Sequence, residues 1–290
     1  MNVLAKAQTM KITKMSKHIG AEVTGIDLTK PVDADTRRRL NEAAVEHIAL
    51  VIRDQKFTHR QFLDAAMLFG EPMERYFTDY GVPGVPFVHE VSSLHRSKDG
   101  SVKKTGPKWH TDHTNQEFPP KYTILHAVSL PRAGGGTSVV NMRACYDALP
   151  DDMKQRVANL QTVNVMVGSA VDKFENTDSM MRQKAENPPP ILQPLVRTNA
   201  DNGTKALYFH PNKTENIVGM GPEESQALLD DLLERAIRPE FVYSHQHRLG
   251  DVFLWDNRSA LHKANYDFDP TDTTQHRLLY RVLIQGERPR

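Results

Sequence analysis

The segment HRLLYRVLIQ, residues 276–285, decides the fold class because its residues alternate between two faces with the period of a β-strand. One face carries Arg277, Leu279 and Arg281. The other face is apolar and carries Leu278, Tyr280, Val282 and Ile284. If the apolar face packs into one layer and the other looks into a barrel mouth, both guanidiniums enter a partly dry cavity and need anions. Four strand residues separate the two arginines by about 13 Å, which suits two different anionic groups.

Six further short runs are apolar or alternating and are bounded by Gly, Pro, Asn and Asp. They occupy residues 22–28, 48–54, 85–91, 122–130, 137–142 and 251–256. Regular alternation of strands and helices is missing, so a doubly wound fold is not expected. The pattern favours a mainly β, α+β fold, in which a barrel or jelly roll is flanked by helices.

Three helices are predicted between these strands. The first spans residues 34–47. Thr58 and Gln61 form a capping box ahead of the second, which Gly70 ends. Pro222 begins the third, and its apolar positions repeat with helical spacing at residues 227, 228, 232 and 236.

The length of 290 residues allows one large domain or two small ones. No solenoid repeat and no Ser- or Gly-rich linker is visible, so a single domain over residues 1–290 is expected. Residues 168–190 are polar and weakly periodic, which predicts a long excursion that serves either as a lid or as a plain surface loop.

Composition restricts the partners of the chain. Lys and Arg number 37 against 36 Asp and Glu, without blocks of like charge, so nucleic acid is not an expected partner. No apolar run reaches the roughly 18 residues of a membrane span, and no signal peptide is visible, so a cytoplasmic protein without membrane contact is expected. Cys145 is the only cysteine, so a metal here requires His and carboxylate ligands.

The stretch KWHTDHTNQEFPP, residues 108–120, carries the first candidate ligands. In an extended chain His110 and Asp112 share a face and His113 points away, so we expect the first two residues to be ligands and His113 not to be one. An H-x-D pair alone is also common in polar turns. His262 follows an apolar strand and is the candidate third ligand, although a hydrogen-bonded core histidine has the same pattern.

Two histidines, one carboxylate and vacant positions are the arrangement of non-haem Fe(II) oxygenases. An arginine beyond such a site suits a dicarboxylate cosubstrate. The combined pattern therefore points to iron and 2-oxoglutarate. Two alternatives stay open: a zinc hydrolase on a similar barrel, and a non-catalytic protein that binds small acids.

The chain resembles the Fe(II)/2-oxoglutarate-dependent dioxygenases of the taurine and 2,4-dichlorophenoxyacetate type. The resemblance runs from IGAEVTGIDL, through WHTDHTNQEFPPKYTILHAVSLPRAGGGTSVVNMRACYDALP, to GDVFLWDNRSALHKANYDF and HRLLYRVLIQGERP. It implies that the metal ligands and catalytic residues are His110, Asp112 and His262. It also implies that Thr137 and Arg277 hold 2-oxoglutarate and that Arg281 faces the substrate.

The resemblance further implies a double-stranded β-helix, or jelly roll, with flanking helices. Fe(II), 2-oxoglutarate and O2 would hydroxylate a substrate and release succinate and CO2. Arg75, Lys213 and Arg281 favour a small anionic organic substrate: a sulfonate, a sulfate ester, an aryloxyalkanoate or another organic acid. Members of the family often form dimers or tetramers, so a homo-oligomer is expected.

Overall fold

The computed structural model describes residues 10–74, 80–97, 100–166 and 188–290. The strands in these ranges are Lys11–Lys14 (β1), Ala21–Thr24 (β2), Ala49–Ile52 (β3), His89–Ser92 (β4), Tyr122–Ser129 (β5), Thr137–Asn141 (β6), Gln161–Asn164 (β7), Ile191–Pro194 (β8), Val196–Thr198 (β9), Lys205–Leu207 (β10), Thr214–Ile217 (β11), Val242–His245 (β12), Val252–Asp256 (β13), Ala260–Ala264 (β14) and Leu278–Ile284 (β15). The α-helices are Ala34–His47 (α1), His59–Ala66 (α2), Met142–Asp147 (α3), Asp151–Val157 (α4) and Pro222–Ala236 (α5).

Seven strands form one large sheet in the order β1-β2-β3-β13-β5-β15-β4. All its neighbours are antiparallel except the parallel pair of β2 and β3. A second, three-stranded sheet has the order β12-β6-β14. Two smaller sheets have the orders β11-β7-β8 and β10-β9.

The core divides into three hydrophobic clusters, which show how the layers pack. The cluster between the two larger sheets combines Leu125, Phe253 and Leu279 of the large sheet with Val139 of β6. The other face of the large sheet is covered by α1 and α2, and the other face of β6 and β14 is covered by α3 and α5. Two facing sheets with helices outside them therefore form the molecule, since each sheet buries both faces.

Strand β15 has the two faces that its sequence predicts. Leu279 belongs to the cluster between the sheets, whereas Val282 and Ile284 belong to the helix-covered cluster. The pairing of β15 with β5 shifts register between Leu278 and Leu279. The arginine-bearing face therefore looks into the space between the sheets, next to β5 and β4.

A buried ion pair shapes the turn that carries the chain from the large sheet to the second sheet. Between β13 and β14 the Arg258 guanidinium donates to both carboxylate oxygens of Asp256, at 2.9 and 2.8 Å. Both side chains are fully buried. The turn leads into β14, which carries His262. The His262 side chain lines the same cavity as the two arginines.

Five of the seven predicted runs contain a strand, the runs at 22–28 and 85–91 overlap β2 and β4 only in part, and the predicted helices are confirmed at α1, α2 and α5. The Thr58–Gln61 capping box is present, and Gly70 ends the short 3-10 turn that follows α2. Of the apolar positions that repeat along α5, Leu228, Leu232 and Ala236 are buried and Ala227 is exposed, and Leu229 is buried as well. The short elements β1, β7 to β12, β14, α3 and α4 were not predicted.

In the described part of the chain the sheets do not close into a barrel. Within the same ranges, no helix is both long and apolar enough to cross a bilayer. The excursion expected at 168–190 lies outside the described residues except for its last three positions. Arg75 also lies outside them.

Candidate metal centre and cosubstrate pocket

The three candidate metal ligands converge between the two larger sheets. His110 and His262 form an antiparallel bridge, with backbone hydrogen bonds of 2.9 Å from His110 N and 2.7 Å from His262 N. The bridge places the two imidazole rings 4.1 Å apart between centroids. Asp112 lies in the turn that follows His110. One ligand atom from each residue lies within 4.8 Å of the others.

Both oxygens of the Asp112 carboxylate face the histidines. Oδ1 lies 3.9 Å from Nε2 of His110, and Oδ2 lies 3.9 Å from Nε2 of His262. Two imidazole nitrogens and one carboxylate thus face a common point, a donor set suited to a divalent transition metal. The segment is not fully extended as the sequence predicted, because residues 112–115 form a turn. His113 has a positive φ of 52° and is not part of the group.

The two histidine rings are held in place by their surroundings. His110 Nδ1 lies 2.8 Å from the carbonyl oxygen of Lys108, so Nδ1 carries the proton and Nε2 is free to bind a metal. Gly106 has φ +64°, and a Cβ at this position would lie 2.7 Å from Cε1 of His110. The Trp255 indole packs against His262 with ring centroids 4.3 Å apart.

A chain of hydrogen bonds supports Asp112 from behind. The Thr123 hydroxyl donates to Asp112 Oδ2 at 2.5 Å and accepts from Asn257 Nδ2 at 2.8 Å. The Trp255 indole N–H donates to Asn257 Oδ1 at 3.1 Å. Sequence reasoning missed Thr123 and Asn257, because neither residue is near Asp112 in the chain. Their one signal is that polar side chains occupy otherwise apolar stretches of β5 and the end of β13.

Burial and neighbouring charge set the protonation of the three ligands. Burial lowers the pKa of both His110 and His262, so their imidazoles are neutral, as metal ligands must be. Burial alone would raise the pKa of Asp112, but the positive charge of Arg281 opposes that effect, and the pKa of Asp112 lies well below its usual value. The carboxylate is therefore ionised.

Thr137 and Arg277, which the resemblance assigns to 2-oxoglutarate, are in direct contact. The Arg277 guanidinium donates through Nε to the carbonyl oxygen of Gly135 at 2.6 Å and through Nη2 to Thr137 Oγ1 at 3.3 Å. Burial lowers the pKa of Arg277 to about 10, and Asp267 opposes this shift. No carboxylate among the described residues lies within 4.0 Å of the Arg277 guanidinium, so Asp267 acts on its charge only from a longer distance.

Arg281 and two residues of the loop after β10 border the metal ligands. Nε of Arg281 is buried and has no hydrogen-bond partner among the described residues. Burial lowers the pKa of Arg281, whereas the charge of Asp112 raises it. The ring of His210 lies 5.8 Å from that of His110. The Lys213 ammonium lies 3.4 Å from Asn115 Oδ1, and its charge lowers the pKa of His110.

One cavity joins the two candidate histidine ligands to the arginines. Its lining is Val91, Thr105, Gly106, His110, Leu125, Thr137, Trp255, His262, Ala264, Arg277 and Arg281. The site is therefore a space between two sheets with a metal-binding group, a buried hydroxyl and two guanidiniums. These features define a metal-dependent enzyme that binds anions.

The chain belongs to the taurine catabolism dioxygenase TauD, TfdA family, whose sequence profile matches residues 11–283. It is 32% identical over 284 residues to the (S)-phenoxypropionate/alpha-ketoglutarate-dioxygenase of Sphingobium herbicidovorans, covering 95% of each chain. It is 36% identical over 271 residues to the alpha-ketoglutarate-dependent 2,4-dichlorophenoxyacetate dioxygenase of a Burkholderia species, covering 88% of this chain and 86% of the relative.

Solved structures agree with this membership. The crystal structure of AAD-2 with Mn(II) and N-oxalylglycine superposes with a TM-score of 0.80 at 30% identity, over 97% of this chain and 99% of that one. The protein is therefore an Fe(II)/2-oxoglutarate-dependent dioxygenase, and the enzyme class and cofactors expected from the sequence are confirmed. Neither the site nor the relatives favour a zinc hydrolase or a non-catalytic binder.

Proposed function

We propose that His110, Asp112 and His262 hold the Fe(II) and are the catalytic residues. The proposal depends on one observation: Nε2 of each histidine lies 3.9 Å from a different oxygen of the same carboxylate. The donor set fits iron, because two imidazoles and one carboxylate would hold a divalent transition metal without filling its coordination sphere. The hydrogen bond from Thr123 to Asp112 keeps the carboxylate in place.

We further propose that Arg277 and Thr137 hold the distal carboxylate of 2-oxoglutarate. A buried guanidinium without an anion is costly, and a dicarboxylate in the same cavity supplies that anion. The Gly135 carbonyl orients the guanidinium through Nε and leaves other N–H groups for the ligand. The Thr137 hydroxyl beside it adds one more donor.

When bound together, Fe(II) and 2-oxoglutarate supply the oxidising chemistry: O2 is consumed, succinate and CO2 are released, and a C–H bond of the substrate is hydroxylated. The residues of the chain position the reactants and keep water out. Val91, Leu125 and Trp255 make the cavity wall apolar near the ligands, which strengthens electrostatic interactions inside it. Arg277 fixes one end of the cosubstrate, so its other end faces the metal ligands.

We assign the anionic group of the substrate to Arg281. The reason is its buried Nε, which lies near Asp112 and has no hydrogen-bond partner in the part of the chain that the structure describes. Lys213 and, outside the described residues, Arg75 are further candidates for the same role. The relatives named above act on phenoxypropionate and 2,4-dichlorophenoxyacetate, and an alkylsulfatase of Acinetobacter baylyi is 29% identical over 97% of this chain and 86% of the relative. A small organic acid or sulfate ester is the substrate class we propose.

Four features stay predictions. They are a double-stranded β-helix formed by the two facing sheets, a single domain over residues 1–290, a dimer or tetramer, and a cytoplasmic location. The double-stranded β-helix is supported by the large sheet and the β12-β6-β14 sheet, which face each other across a shared hydrophobic cluster. Size-exclusion chromatography with light scattering tests the third.

A succinate assay tests the substrate class. The enzyme, with Fe(II) and 2-oxoglutarate, is supplied with aryloxyalkanoates, alkyl sulfates and sulfonates, each paired with a neutral methyl ester or amide of the same shape. We expect acids to stimulate succinate formation and their neutral partners not to do so. Equal stimulation by acid and neutral partner would contradict an anion-binding role for Arg281 without affecting the assignment of the iron ligands.

A further inference from the structure

A second group of metal-ligating residues lies close to the cosubstrate pocket. His245, His247 and Asp251 also bring one ligand atom each within 4.8 Å of the others. Asp251 Oδ2, however, already accepts hydrogen bonds from Arg53 Nη1 at 2.8 Å and from the Arg248 backbone N–H at 2.8 Å. The Arg53 guanidinium supplies the positive charge that a metal ion would bring. The cluster is therefore a hydrogen-bonded support rather than a metal site.

One member of this cluster reaches the cosubstrate pocket. Nε2 of His247 lies 3.0 Å from Oγ1 of Thr137, the same oxygen that accepts from Arg277 Nη2. The ring of His247 stands perpendicular to that of His245, with centroids 4.8 Å apart, and it packs edge-on against Phe253. These contacts hold the ring orientation, so the Nε2 atom stays directed at Thr137.

The other ring nitrogen decides which atom carries the proton. Nδ1 of His247 is buried and has no hydrogen-bond partner among the described residues. A buried N–H without an acceptor is less tolerated than a buried acceptor without a donor. The tautomer with the proton on Nε2 is therefore favoured. Burial and the charge of Arg277 lower the pKa of His247 well below its usual value, so the ring carries a single proton.

This tautomer orients the Thr137 hydroxyl. A hydroxyl oxygen has two lone pairs and one proton. His247 Nε2–H and Arg277 Nη2–H occupy both lone pairs of Thr137 Oγ1. The proton of Thr137 is then left for an acceptor in the cavity. A carboxylate can only accept, so a hydroxyl whose proton is free matches it.

We propose that His247 is a positioning residue, which donates from Nε2 to Thr137 and thereby aims the Thr137 hydroxyl at the distal carboxylate of 2-oxoglutarate. This inference rests on the proposed role of Arg277 and Thr137. His247 does not touch the cosubstrate itself. Its effect is on cosubstrate affinity and on selection for the distal carboxylate, because it acts through the hydroxyl alone.

The test compares two substitutions at this position under anaerobic conditions. His247→Leu removes the donor but keeps an apolar side chain, and His247→Gln can present an N–H donor near the same point. Each variant with Fe(II) is titrated with 2-oxoglutarate, and the weak visible charge-transfer band gives the Kd. We expect His247→Leu to weaken 2-oxoglutarate binding by roughly threefold to tenfold, and His247→Gln to restore part of the loss.

Two matched measurements separate this role from a structural one. 2-Oxopentanoate has the same chain length without the distal carboxylate, so its Kd should not change in His247→Leu. In a Thr137→Val background, His247→Leu should add no further loss. Melting temperatures of all variants show that each is folded.

Three outcomes would overturn the inference. The first is an unchanged or tighter Kd for 2-oxoglutarate in His247→Leu. The second is an equal loss of affinity for 2-oxopentanoate in that variant. The third is an undiminished loss of 2-oxoglutarate affinity when His247→Leu is added to Thr137→Val. A wild-type enzyme that shows no band at all would instead contradict the proposed function. The two failures are therefore distinguishable in one series of titrations.

Discussion

Thr123→Val tests the hydrogen-bonded support of Asp112. The hydroxyl of Thr123 donates to Asp112 Oδ2 at 2.5 Å and accepts from Asn257 Nδ2 at 2.8 Å. Valine has nearly the same shape and makes neither bond. The Asp112 carboxylate then loses its buried donor, and the Asn257 amide loses its acceptor.

The expected loss follows from the kind of bond removed. Hydrogen bonds that orient a metal ligand are worth about 10- to 100-fold in metal affinity. This range corresponds to about 1.4–2.8 kcal/mol of binding free energy. We expect the upper half of the range for Thr123→Val, because the bond is short, charge-assisted and fully buried. The free energy of unfolding should also fall, by about 1–3 kcal/mol.

Calorimetric titration with Fe(II) without O2 measures the metal affinity. Thr162→Val is the matched control, since Thr162 is a buried strand threonine whose hydroxyl bonds the Gln193 carbonyl and not the metal-binding group. The control should lose stability and keep the wild-type metal affinity. A wild-type affinity in Thr123→Val, or equal losses in both variants, would refute the reasoning.

Three further substitutions test other parts of the site. Gly106→Ala places a Cβ 2.7 Å from Cε1 of His110 at φ +64°, so the Fe(II) affinity in the same titration should fall. Gly203→Ala is the control, because Gly203 has a similar φ of +72° in open space, and this variant should keep the wild-type Fe(II) affinity. Arg277→Lys keeps the positive charge but loses the two-donor geometry of the guanidinium. The KM for 2-oxoglutarate should rise about 30-fold, which corresponds to roughly 2 kcal/mol. An unchanged KM would contradict the assignment of Arg277 to the distal carboxylate. Arg281→Leu should raise the KM of the substrate and leave uncoupled 2-oxoglutarate turnover largely intact, and an unchanged substrate KM would refute its role.

The elements that the sequence predicts are those with a strong local signal. β15 is recognisable because its alternation places Leu279 between the sheets and Val282 against the helices. α2 is recognisable from the capping box at Thr58. α3 has six residues and α4 has seven, so neither shows two helical turns of apolar periodicity. β7 and β12 have four residues each and partly exposed patterns, and the same limit applies.

The residues of the site likewise separate into those with a local sequence signal and those brought together only by strand pairing. His110 and Asp112 are neighbours in the chain, the strand patterns make His262 and Arg277 candidates, and the resemblance to a family implies their roles. Thr123 and Asn257 are 134 positions apart and meet only because β13 pairs with β5. Contacts of this kind depend on strand pairing, which periodicity does not encode. The same reason hides the contact of His247 with Thr137, which are 110 positions apart.

Anaerobic addition of Fe(II) and then 2-oxoglutarate tests together whether His110, Asp112 and His262 hold iron and whether Arg277 holds the far end of 2-oxoglutarate. We expect a weak visible metal-to-ligand charge-transfer band in the wild type, no band in His262→Ala and a right-shifted titration in Arg277→Lys. A band of wild-type strength in His262→Ala would exclude His262 as an iron ligand, and no band in the wild type would exclude the proposed function.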